Sequence, residues 1–67
     1  MSSDSARPET TEAQGRYVTG LRAELAEWRG WRGLAHAGDW PPLAREMIDI
    51  AISALEREIA ECVRLWF

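Results

Sequence analysis

His36-Ala37-Gly38-Asp39-Trp40-Pro41-Pro42 is the stretch on which the fold turns. Gly38 suits the left-handed residue that closes a helix, and Asp39 has the short acceptor side chain that caps the next one. Pro41 and Pro42 then fall in a first helical turn, where a missing amide hydrogen breaks no bond. A connection of about five residues joins antiparallel neighbours. With helical periodicity on both sides, the spacing predicts one helix over about 11–35, a turn over about 36–40 and a second helix over about 41–66. Each helix of roughly 24 residues is about 36 Å long, so the two match. The expected fold is all-α, an antiparallel two-helix hairpin spanning 11–67.

Downstream of the turn, Ile48, Ile52, Leu55, Ile59, Cys62 and Trp66 advance by alternating fours and threes. That spacing is a heptad-like seam, with Ala44, Ala51 and Val63 beside it. A second stripe, Leu43, Met47, Ile50 and Ala54, lies on its flank. Together they make an apolar sector wider than one neighbouring helix covers. Surplus aliphatic surface of this kind marks an interface. Two hairpins packed as a four-helix bundle, crossing near 20°, would bury it. Self-association into a homodimer is therefore expected through Leu43, Met47, Ile50 and Ala54, joined by Ile48, Leu55 and Ile59 of the seam.

Upstream, Tyr17, Leu21, Leu25, Trp28, Trp31 and Ala35 keep one stripe at helical spacing. Thr11 followed by Gln14 fits a capping box that would start this helix. Gly15, Gly20, Gly30 and Gly33 weaken it, by up to about 1 kcal/mol each relative to alanine. Gly30 and Gly33 sit in the repeat Trp28-Arg29-Gly30-Trp31-Arg32-Gly33, where a kink or an early end is expected. Residues 1–10 are Ser, Thr, Asp, Glu and Pro without periodicity, which predicts a disordered tail.

A chain of 67 residues is short for a self-sufficient core. Cys62 is its only cysteine and His36 its only histidine, so neither a disulfide nor a closed zinc site is expected to reinforce it. Association is the remaining route. The net charge is −3, and all eight cations are arginines interspersed with eleven acids. No basic stripe faces phosphates and no cationic face suits an anionic bilayer, so neither nucleic acid nor membrane is an expected partner. Met1–Pro8 has one cation and no apolar run, which predicts no signal peptide and a cytoplasmic location. The absence of lysine points to a GC-rich coding sequence, and a bacterial source is expected.

Four tryptophans in 67 residues are a large share, and three of them cluster around the turn. Trp28 and Trp66 read first as core plugs of a hairpin short of large side chains. The alternative is a binding surface in which Arg29 or Arg32 stacks on an indole, since Trp and Arg are enriched at binding hot spots. Candidate contacts to a partner or ligand are Trp28, Arg29, Trp31, Arg32, His36, Trp40, Trp66 and Phe67. His36 and Asp39 have no nucleophile near them in sequence, and Glu56 and Glu58 diverge on the helix, so neither pair makes a catalytic set. No catalytic, cofactor-binding or metal-binding residue is expected. These features predict a non-enzymatic interaction protein that self-associates and binds another protein as accessory subunit, regulator or inhibitor. Two alternatives share the same residues. One is a small-molecule binder with a Trp-lined apolar pocket between helices. The other is a mobile-element inhibitor or antitoxin.

Overall fold

The computed structural model describes residues 10–67. Apart from Thr10, the tail expected over residues 1–10 lies outside the described residues. Two helices pack against each other as a hairpin: α1 (Thr11–Ala37) and α2 (Pro42–Trp66). The N-cap of α1 is Thr10, one residue earlier than the capping-box reading placed it. Thr10 is extended (φ −92°, ψ 149°), and its Oγ1 accepts from the Ala13 amide at 3.2 Å. The third helical position is thus Ala13, which has no side chain to return the bond. Glu12 supplies negative charge to the first turn and pairs with Arg16 at 3.2 Å on an exposed surface.

The turn is built from the expected residues in different roles. Gly38 is not left-handed (φ −91°, ψ 2°); Asp39 is, at φ 55°. The amide of Trp40 donates to Ala35 O at 2.9 Å, and that of Asp39 reaches His36 O at 3.4 Å. This six-to-one and five-to-two pairing is a Schellman closure with Asp39 as its left-handed residue. Aspartate is among the few non-glycine residues that tolerate this conformation. Gly38 has a steric reason instead. A Cβ there would lie 3.1 Å from Leu34 O and 3.1 Å from Trp40 Nε1, so the missing side chain is what lets the indole fold back. Asp39 is consequently not the cap of α2. Pro41 holds that position without a side-chain cap, and Pro42 opens the helix. Asp39→Gly should relieve the left-handed strain and stabilise the hairpin by about 0.5 kcal/mol, measured as a melting-temperature rise of about 3 °C.

α1 continues through Gly30 and Gly33 without interruption. A methyl at Gly15, Gly20, Gly30 or Gly33 would meet nothing within 4 Å, so packing does not demand these glycines. The helix is held by what it buries: Val18, Leu25 and Ala35 face Ile48, Ile52 and Cys62 of α2. Leu25, Ala35, Ile48 and Ile52 form one cluster, with Trp28, Trp40, Leu55 and Ile59 packed on its margin. The molecule measures 44 × 21 × 16 Å. At 16 Å thick it is a single layer of helices, each about 10 Å across, and every core residue has solvent close behind it.

Candidate functional site

The exposed apolar side chains gather on particular faces, and the sharpest is the flank of α2. Leu43, Met47 and Ile50 are 67%, 61% and 60% exposed, and Ala54 continues the line. Elsewhere on that helix Leu65 is also half-exposed, while the seam side turns toward α1. Ile48 is buried, and Leu55 and Ile59, partly buried, pack on the core cluster. Beside the exposed stripe runs an open groove of about 290 Å³ lined by Glu46, Asp49, Ile50, Ser53, Ala54 and Arg57. Its floor is apolar, its N-terminal end acidic and its C-terminal end basic.

A second exposed face lies on α1. Gly20, Ala23, Glu24, Glu27, Trp28 and Trp31 line an open depression of about 420 Å³. Gly20 and Ala23 make its floor low because they project almost nothing, and the indoles wall one end. These residues share one helical face at steps of 3, 1, 3, 1 and 3, a pattern the apolar-stripe reading passed over because four of the six are polar or small. The depression is on the outer side of α1. Between α1 and α2 the space is occupied by Leu25, Ala35, Ile48 and Ile52.

The candidate contact residues divide among three places. At the turn, Trp31 is 49% exposed and lies tilted over Trp40 with ring centroids 6.0 Å apart, while Trp40 and Trp28 lean on the core. Leu34 adds apolar surface near Trp31, and Arg32 and His36 are solvent-exposed. Mid-hairpin, Arg29 crosses to Glu56 of α2 at 3.0 Å; with both side chains about half exposed, the pair contributes little to stability. At the open end, half-buried Trp66 meets Tyr17 edge-on at 6.0 Å. Phe67, at 72% exposure, joins Gly15, Val18, Thr19, Arg22 and Val63 around a shallow hollow of about 340 Å³. The turn and open-end aromatics lie at opposite ends of the hairpin.

One polar cluster was not legible in the sequence. Glu58 Oε2 accepts from Tyr17 Oη at 3.1 Å and from Cys62 Sγ at 3.6 Å, in partly buried surroundings. The four-residue step from Glu58 to Cys62 was visible; the reach of Tyr17 across 41 positions depends on how the helices dock. Arg64 and Glu61 form the neighbouring surface pair, and the carboxylate, by hydrogen bond and charge, raises the guanidinium's already high pKa. Tyr17→Phe keeps the ring contact with Trp66 and removes the bond to Glu58. It is expected to lower stability by about 1–2 kcal/mol in denaturant titrations.

Among the described residues no group of acidic, histidine or cysteine side chains is arranged to hold a metal ion, and no helix is long and apolar enough to cross a membrane. The chain matches no family model, no curated protein and no solved structure.

Proposed function

We propose that this chain is a non-enzymatic helical interaction module, acting in the bacterial cytoplasm, that self-associates through the flank of α2 and binds a second protein as accessory subunit, regulator or inhibitor. The observation that carries it is the row Leu43, Met47, Ile50 and Ala54. Three large aliphatic side chains stand mostly in water on the more amphipathic of the two helices, in a chain too thin to enclose a large core. Leaving each of them solvated forgoes about 1.5–3 kcal/mol of burial, which association recovers. The second protein is assigned to the face of α1 that carries Trp31, where a half-exposed indole, Glu24 and Glu27 surround a ready depression. An aromatic anchor in such a setting is the residue type on which binding energy concentrates.

The test is sedimentation of the full chain over a micromolar concentration range. Concentration-dependent association to a dimer is the expected result. A folded species that stays monomeric throughout would remove the self-association half of the proposal.

A further inference from the structure

Resting on that reading, we propose that the occupant of the α2 flank is a second copy of this chain, laid antiparallel, and that the charges along the groove set its direction. Glu46 and Arg57 are eleven residues apart. At 100° per residue that is about 20° past three full turns, so both project from the same edge of α2, about 16 Å apart along its axis. Both line the groove beside the exposed stripe, with Asp49 next to Glu46 at the acidic end. Neither Glu46, Asp49 nor Arg57 has an ion-pair partner within the described chain, although Arg29, Arg16 and Arg64 do.

A two-fold axis imposes self-complementarity: whatever residue i meets on the partner, the partner's copy of i must meet in return. In a parallel pair the two-fold axis runs along the helices, so this edge lies against the opposite edge of the partner and Glu46 does not meet Arg57. Reversing one helix brings Glu46 and Asp49 of each copy to the Arg57 of the other, twice per dimer. The same alignment sets Ile50 of one copy against Ala54 of the other. A large side chain then opposes a small one, which lets the helices approach closely. Met47 falls along the aliphatic stem of the opposing Arg57, which can cover it while the guanidinium reaches the acids. Polar residues at the edges of a helical seam fix partner orientation in this way.

Charge reversal tests it, with the full chain throughout. Glu46→Arg and Arg57→Glu sit on exposed positions, and unchanged circular dichroism establishes that each variant is folded. Each single variant should raise the dimer dissociation constant about tenfold at low salt, because two attractive contacts become repulsive together. The double variant Glu46→Arg/Arg57→Glu should recover the original value. An equimolar mixture of the two single variants should form heterodimers of near-original affinity, since an antiparallel pair then meets opposite charges at both ends. A dimer indifferent to both reversals, or one strengthened by pairing Glu46→Arg with the unmodified chain alone, would overturn the antiparallel assignment while leaving the flank as the interface. Absence of any dimer in the unmodified chain would overturn both.

Discussion

A chain carrying Ile52→Ala is expected to be largely unfolded at 25 °C at micromolar concentration. Ile52 is 3% exposed and sits in the cluster with Leu25, Ala35 and Ile48 that joins the two helices. Truncating a buried isoleucine costs about 2–5 kcal/mol, the lost transfer energy plus the cavity left behind. A core of this size rarely provides more than about 3–5 kcal/mol in all. The two quantities are comparable, so one substitution removes most of the folding free energy, and among the described residues neither a disulfide nor a second layer of structure is present to absorb it. Circular dichroism should show most of the helical signal lost, with a broad thermal transition beginning at low temperature. A loss below about 1 kcal/mol would mean that the helices do not meet along this seam.

Ile50→Glu, two positions away, should do the opposite. Ile50 is 60% exposed in the hairpin, so a charge there disturbs folding of the single chain by no more than about 0.5 kcal/mol. In the dimer the same carboxylate would be buried against an apolar neighbour without a partner, a cost of several kcal/mol. The dissociation constant should rise by about a hundredfold or more, read by sedimentation at fixed ionic strength. A variant that dimerises as the unmodified chain does would place the contact elsewhere. Because the folded state of an associating chain is stabilised by mass action, both substitutions must be compared at one protein concentration. Taken as a pair they test two uses of α2: Ile52 in holding the hairpin together, and Ile50 in the proposed contact between hairpins.

The remaining surface follows the same division. Trp40 is near the turn in sequence, and exposure would have been a fair expectation for it. It is instead drawn onto the core because the Schellman closure returns the chain over Ala35 and Gly38 leaves room for the ring. Trp31 receives the exposed position, three residues beyond Trp28 and one turn away from the inter-helix seam. Four tryptophans thus serve three purposes. Trp28 and Trp40 pack the core margin, Trp66 closes the open end against Tyr17, and Trp31 remains available to a partner.

The sequence by itself determined the two helices, the break between them and the surplus apolar stripe on α2. Those properties depend on residue type and spacing over a few turns: alternating steps of three and four between Ile48 and Trp66, the Gly-Asp-Trp-Pro-Pro punctuation, and the extra row from Leu43 to Ala54. Only the tertiary structure decided which residue of the turn is left-handed, which tryptophan stays exposed, and that Tyr17 and Cys62 share the carboxylate of Glu58. Each of these depends on the distance between two helices and the rotation of one about its axis. Periodicity along a single helix is blind to both, because it says which residues share a face and not what that face meets.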